Sequence, residues 1–325
     1  MVGHFKTTFE AFDSATDADE VVAAFSEHVK RRVFVVTGPT PKGIGEGTIL
    51  ALAQGGPSAL LLVGRNPTKY ASVADAVHAI NPSIDVRVYG IDLGSLTSVR
   101  AGAAAILADF SRVDVLINNA ASSNRKHVKT VDGVEDNFAT NHLGHWLLTN
   151  LLMPALLQSD APRVVNVSSI AHREGTCDFS DYNFERKKFT WQAAYAQSKV
   201  ANILFSRQLA ALLGPCGLTS FSVHPGVIWG TNIGQDLPSE DLALFMDEIK
   251  RVRQLSAKTV GQGSATTCVA ALDPKLRQFE VNGAYLEDCQ VAEARFAGDN
   301  KNTDHAAELW RLSEQLVGQQ FVYEF

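Results

Sequence analysis

Tyr195-Ala196-Gln197-Ser198-Lys199 places a phenol and an ammonium four residues apart, inside a run from Gln192 to Leu213 whose small and apolar residues predict a helix. Positions i and i+4 share a helix face, so the two groups point into one space. A neighbouring cation favours phenolate. Tyrosine titrates near pH ~10 in water, so poising it near neutrality takes a shift of about 3 units, or about 4 kcal/mol. Such a pair can give a proton to a carbonyl oxygen or take one from a hydroxyl. The spacing alone decides nothing, because two residues on a solvated helix face read the same way. The surrounding elements carry the argument.

The apolar β-branched run Val33-Phe34-Val35-Val36 predicts a buried strand, and Thr37 to Gly45 follows as a turn rich in glycine and proline before a helical pattern opens at Glu46. Strand, glycine turn and helix in that order let backbone approach a pyrophosphate while helix N–H groups face its charge. Gly38, Thr40, Lys42, Gly43, Ile44 and Gly45 are the candidate contacts. The second strand, Ala59 to Val63, ends at Gly64-Arg65-Asn66. An acidic residue there suits the ribose hydroxyl of NAD, and a basic one suits a 2′-phosphate. Arg65, with Lys42 as a second cation, points to NADP(H).

The alternation continues. Strands are expected at Ile84–Val88, Val113–Ile117, Arg163–Val167, Thr219–His224 and around Gly283–Leu286. Helices are expected at Leu96–Phe110, Asp136–Gln158, Val260–Leu272 and Thr303–Val317. Asn141 falls inside the second of these helices, where its amide competes for backbone groups, so a specific polar bond is expected of it. Ser168 and Ser169 sit at the carboxyl end of their strand, the end at which open α/β sheets bind ligands. The pattern predicts an α/β, single-domain Rossmann fold over 33–325: a doubly wound parallel sheet of about seven strands with helices on both faces. A helical appendage, residues 1–32, precedes it, with a helix over Asp17–Lys30.

The chain has 325 residues, 46% hydrophobic and 20% charged, with a net charge of −6. That composition supports a sizeable core, and the acidic balance argues against nucleic acid as a partner. Four cysteines, at 177, 216, 268 and 289, show no metal-ligand spacing, so no metal is expected and reduced thiols in a cytoplasmic protein are the simplest account. No basic leader and no long uncharged apolar run occurs, so neither signal peptide nor membrane span is expected. A small-molecule substrate is the expected partner, and homo-oligomerisation is left open.

With these pieces in order, the chain resembles the short-chain dehydrogenase/reductase family over nearly its whole length. The carriers are the glycine turn, Asp92-Leu93, Asn118-Asn119-Ala120, Ser169, Tyr195 with Lys199, and Pro225-Gly226. Asn141-His142-Leu143-Gly144-His145 and Gly283 to Cys289 are similar to the branch of retinol dehydrogenases and the WW-domain oxidoreductase. The resemblance implies that Tyr195 is the acid/base and that Lys199 binds the nicotinamide ribose and lowers the phenol's pKa. It implies that Ser169 bonds the substrate oxygen and that Asn141 holds a relay water. It further implies cofactor contacts from Asp92, Leu93, Asn118, Ala120, Pro225, Gly226, Val227 and Thr231. Three departures stand out. Four residues rather than three separate Gly38 from Gly43, two of them prolines that fix φ and lack N–H groups. Thr231 lies one position later than is common after Pro225-Gly226, and Ser169 and Tyr195 are 26 apart.

The segment 227–258 follows the strand end nearest the expected nicotinamide, and Trp229, Phe245 and Met246 make it a candidate lid or substrate wall; helical cover for the core is the plainer alternative. The expected activity is that of an NADP(H)-dependent carbonyl reductase or alcohol dehydrogenase for a mostly apolar small molecule. Two other classes fit the same motifs: a non-redox acid/base step in this pocket, and a redox-silent NADP(H)-binding regulator.

Overall fold

In β1 (Val33–Thr37) and β2 (Ala59–Gly64) every residue is buried, and neighbours in sequence serve opposite cores. Val33, Val35, Leu61 and Val63 join one apolar cluster, and Phe34, Val36, Leu60 and Leu62 join the other. A strand covered on both faces reads as an unbroken apolar run, which is why these two carry no alternation.

The computed structural model describes residues 5–228, 257–294 and 304–323. Further strands are β3 (Asp85–Gly90), β4 (Val115–Asn118), β5 (Arg163–Val167) and β6 (Thr219–His224). A separate two-stranded parallel pair follows, β7 (Val227–Ile228) with β8 (Ala257–Lys258), and then come β9 (Tyr285–Glu287) and β10 (Gln290–Ala292). The main sheet has eight strands in the order β10-β9-β6-β5-β4-β1-β2-β3, parallel except for β10 against β9. That is one strand more than the sequence pattern predicts. The extra strand returns through Asp288 and Cys289, both left-handed at φ 51° and 62°. A two-residue hairpin turn with two positive φ values is ordinarily signalled by Asn-Gly, and Asp-Cys gives no such signal.

On one face lie α1 (Ala18–Ala24), α2 (Ile44–Gln54) and α3 (Ala71–Ile80), and on the other α4 (Leu96–Asp109). The expected long helix from Asp136 is divided: a single turn, α5 (Asp136–Phe138), a π-helical turn over Ala139–Leu143, then α6 (Gly144–Leu156). Both α6 and α7 (Trp191–Leu213) pack on the α4 face, as does α9 (Asp304–Val317), while α8 (Val260–Leu272) packs beside α1 and α2.

The N-terminal helix is shorter than expected. Asp17 caps α1 in a capping box with Glu20, and the chain loosens to a 3-10 turn at Ser26–His28. Its apolar side, Val21, Val22, Phe25 and Val29, is buried as the spacing predicts. Thr8 donates to the Asp273 carboxylate, 2.8 Å from its N–H, and Gln290 donates to Phe12 O at 2.8 Å, so this segment is tied to the sheet edge. All four cysteines are free thiols. Among the described residues no helix is long and apolar enough to cross a membrane.

Candidate active site

Strand order reverses between β1 and β4, which opens a crevice at the carboxyl ends of the strands. The glycine turn leaves β1 on one side of it and Asn118-Asn119-Ala120 leaves β4 on the other. Thr37 joins them: its Oγ1 accepts from Asn119 N and Ala120 N, each at 2.9 Å. Asn119 reciprocates, its side-chain amide donating to Thr37 O at 2.8 Å and Gly38 O at 3.2 Å.

This clamp packs the turn so tightly that side chains are excluded. A Cβ on Gly38, whose φ is +63°, would lie 2.8 Å from Ala120 Cα, and one on Gly45 would lie 2.6 Å from Asn119 Nδ2. Gly43 precedes helix α2 as its N-cap and supplies no side-chain cap, which leaves the helix's first N–H groups and the positive end of its dipole at the glycine turn. That is the chemistry an anionic pyrophosphate requires, so the residues present fit a dinucleotide. The lengthened loop is held by its own bonds. Gly43 N donates to Thr40 O at 3.0 Å, and Lys42, left-handed at φ 65°, donates its N–H to Glu46 Oε2 at 2.5 Å.

Arg65 and Asn66 are exposed just past β2, as is Lys42, and neither cation forms a salt bridge among the described residues. Asn66 Oδ1 accepts from Thr68 Oγ1 at 2.7 Å. Asp92 turns its carboxylate to Gly94 N at 3.0 Å, while the Leu93 side chain belongs to the core. The Asn118 side chain is turned into the fold. The residue is 1% exposed, and its side-chain amide donates to Thr149 Oγ1 at 3.0 Å and Asn166 Oδ1 at 2.8 Å.

At the other end Ser169 caps a 3-10 turn, Ile170–Glu174, and its side chain is near enough to the Tyr195 hydroxyl to pull the phenol's pKa down. Lys199 Nζ lies 5.4 Å from the Tyr195 ring centroid and donates to Val167 O at 3.1 Å. Helix α7 thus brings the pair and Ser169 together. Their electrostatics differ from the sequence expectation. Burial pushes the phenol up to about 12, against a smaller downward pull from Ser169, and burial also pulls the Lys199 ammonium down to about 7. Tyr195 keeps part of its surface open, so water moderates the upward push. With the cleft holding protein alone, the phenol therefore keeps its proton at neutral pH and the lysine is near half-charged.

Asn141 lies in the π-turn, a geometry that recurs at functional sites. Its Oδ1 accepts from Ser122 N at 2.6 Å, and its Nδ2 donates to Ser122 O and Ser198 Oγ, both at 2.9 Å. The polar bond expected of a helix-interior Asn is thus three bonds, which hold the loop after β4 against α7. Past β6, His224 Nδ1 accepts from Ile170 N at 3.2 Å and Gly226 N at 3.4 Å, linking the Ser169 turn to Pro225-Gly226-Val227. Gly226 is left-handed at φ +89°, and the Lys258 side chain crosses so close that a Cβ would meet it at 2.6 Å.

Trp229, Thr231, Phe245, Met246 and the greater part of the expected 227–258 lid lie outside the described residues. Sequence reasoning missed Thr37, Asn119, Ser122, Ser198 and His224. Each is polar, and each stands beside or between glycine-turn, strand-end or helix residues already singled out; that position was the available signal.

A family model described as short chain dehydrogenase matches residues 32–242. Mouse retinol dehydrogenase 12 is 35% identical over 300 residues, covering 92% of this chain and 90% of the relative. Human retinol dehydrogenase 13 is 35% identical over 288 residues, covering 88% and 85%. Among solved structures, an uncharacterized protein from Mycobacterium paratuberculosis is 30% identical, with a TM-score of 0.66 over 90% of this chain and 96% of the other.

Proposed function

The chain belongs to the short chain dehydrogenase family, and on that premise we propose that it is an NADP(H)-dependent carbonyl reductase or alcohol dehydrogenase for a mostly apolar small molecule. Oxidoreduction between an alcohol and a carbonyl with a nicotinamide dinucleotide is the chemistry of its family and relatives. The choice of NADP(H) and the apolar substrate are the finer reading. Arg65 and Lys42, two exposed cations at the ends of β2 and of the glycine turn, support the first. The retinol named in the mouse and human relatives, together with Trp229, Phe245 and Met246 in this sequence, supports the second.

The observation that carries the reading is Lys199 buried 5.4 Å from the centre of the Tyr195 ring, with Ser169 acting electrostatically on the same phenol. The dinucleotide, when bound, supplies or accepts the hydride. The chain's own residues manage the oxygen. In reduction, Tyr195 gives its proton to the carbonyl oxygen as the adjacent carbon gains hydride, and Ser169 donates a second hydrogen bond to the same oxygen. In oxidation the proton returns to Tyr195. Lys199, fixed through Val167 O, sits beside the phenol, where the fraction of it that is charged eases loss of the proton. Gly38, Gly43, Ile44 and Gly45 would hold the pyrophosphate, and Arg65 with Lys42 the 2′-phosphate.

The test follows absorbance of NADPH and NADH against a panel of ketones and aldehydes, with retinaldehyde and short polar carbonyls as its extremes. Turnover that favours NADPH and bulky apolar carbonyls is the expected result. Tight NADPH binding with no turnover on any member would refute the oxidoreductase reading and leave the redox-silent one.

A further inference from the structure

His145 is the second residue of α6, 1% exposed, and lies between the two ends of the crevice. Its Nε2 is 2.8 Å from Thr37 Oγ1 and its Nδ1 is 3.0 Å from Asn141 O. The tautomer follows from counting protons. Thr37 Oγ1 already accepts two amide hydrogens, from Asn119 and Ala120, so the hydroxyl's own proton is what it offers His145. Nε2 is therefore the acceptor, and Nδ1 carries the hydrogen that is donated to Asn141 O. Beyond Asn141 the path continues through Ser198 Oγ, which donates to Tyr195 O at 2.7 Å. The π-turn matters here because Gly144 N reaches back five residues to Ala139 O, shifting the backbone register and opening carbonyls in this turn to a side-chain donor.

We infer that His145 is a positioning residue that ties the glycine turn to the acid/base end of the crevice, so that ordering the turn around a dinucleotide also orients Asn141 and the Tyr195 turn of α7. Burial, with Lys199 adding a smaller push, holds the imidazole down at about 4, so it stays neutral at working pH and acts as a fixed connector, not a proton carrier. The kinetic part of this inference rests on the oxidoreductase reading; the tautomer and cofactor affinity do not.

Three variants separate bonding from packing. His145→Phe keeps the ring's bulk and removes both bonds. His145→Asn keeps a donor near the Nδ1 position for Asn141, and His145→Gln keeps an acceptor near the Nε2 position for Thr37. NADPH affinity is read by fluorescence titration, kcat by absorbance and folding by thermal melt. In His145→Phe the Kd should rise and kcat should fall by about tenfold each, the size expected of stranding buried hydrogen-bonding groups. His145→Asn should keep kcat closer to that of the unmutated protein, and His145→Gln should keep the Kd closer. A role in packing alone reverses this order, leaving Phe harmless and the smaller side chains harmful, and that result overturns the inference. Should His145→Phe fail to fold, nitrogen-15 spectra of the unmutated imidazole decide. A protonated Nδ1 with a bare Nε2 at neutral pH is expected, and the opposite tautomer or an imidazolium overturns the arrangement. An unmutated protein that binds NADPH but reduces nothing sinks the oxidoreductase reading alone, because affinity and tautomer still report on His145. Failure to bind either NADPH or NADH overturns both.

Discussion

Replacing Lys199 by Met keeps the length of the buried side chain and removes its charge. Burial pulls the ammonium from its ordinary 10.5 to about 7, and with the residue 1% exposed solvent does little to soften that cost. Between those two values the unfolded chain binds more protons than the folded one, so this group makes stability rise with pH from about 7 to about 10.5. At pH 7 the penalty is about 3 units, or about 4 kcal/mol, and at pH 9 it falls to about 2 kcal/mol. The 3.1 Å bond from Nζ to Val167 O offsets about 1 kcal/mol of this. Lys199→Met should therefore stabilise the cofactor-free protein by about 3 kcal/mol at pH 7 and about 1 kcal/mol at pH 9, while abolishing turnover. Urea midpoints for the two proteins at both pH values measure this, provided m is unchanged. The informative quantity is the change in their difference with pH, because every other titrating group is common to both. A Met variant no more stable at pH 7, or a gain that grows towards pH 9, refutes the claim that Lys199 is held as a destabilising charge.

Tyr195→Phe keeps the ring and removes the proton, so turnover should fall by ~10²–10⁴ with NADPH affinity intact; near-normal rates would remove Tyr195 from the chemistry. Arg65→Asp should erase or reverse a preference for NADPH over NADH of tenfold or more, since each charge-assisted bond is worth about 1.5–3 kcal/mol. Equal kcat/KM for the two cofactors before mutation would make Arg65 an ordinary surface residue. Gly45→Ala drives a methyl to 2.6 Å from Asn119 Nδ2 and 2.7 Å from Gly38 O, so the clamp must open. Stability should drop by about 1–3 kcal/mol and NADPH binding should weaken with it, and a variant unchanged in both respects would show the cradle to be looser than drawn.

Elements whose signal is local were legible in the sequence. Val260–Leu272 and Arg163–Val167 have the bounds their patterns predict, and α9 ends before Gly318, left-handed at φ +66°. What escaped depends on contacts far along the chain. The π-turn at Asn141 is invisible to a periodicity argument, because its partners, Ser122 and Ser198, lie 19 and 57 residues away. The resemblance implies a cofactor contact from Asn118, but it does not reveal that residue-by-residue alternation turns the side chain inward to Thr149 and Asn166. The electrostatics of the Tyr195–Lys199 pair were not legible for a related reason. Helical spacing places Lys199 beside the phenol, but it does not reveal that burial pushes the phenol up and half-discharges the lysine.

Strands β7 and β8 set Val227 beside Ala257 and Ile228 beside Lys258, and Lys258 Nζ is anchored 2.5 Å from Asp288 Oδ1. Ile228 and Ala257 thus lie on adjacent strands of a ladder separate from the main sheet. For a stretch whose ends are pinned, closure entropy grows only logarithmically with length, about 0.6 kcal/mol per doubling. The closure cost of whatever joins Ile228 to Ala257 is therefore borne by this short ladder and by the Lys258–Asp288 pair, outside the main sheet. The length of the joining stretch is thereby uncoupled from the register of β6 against β5 and β9.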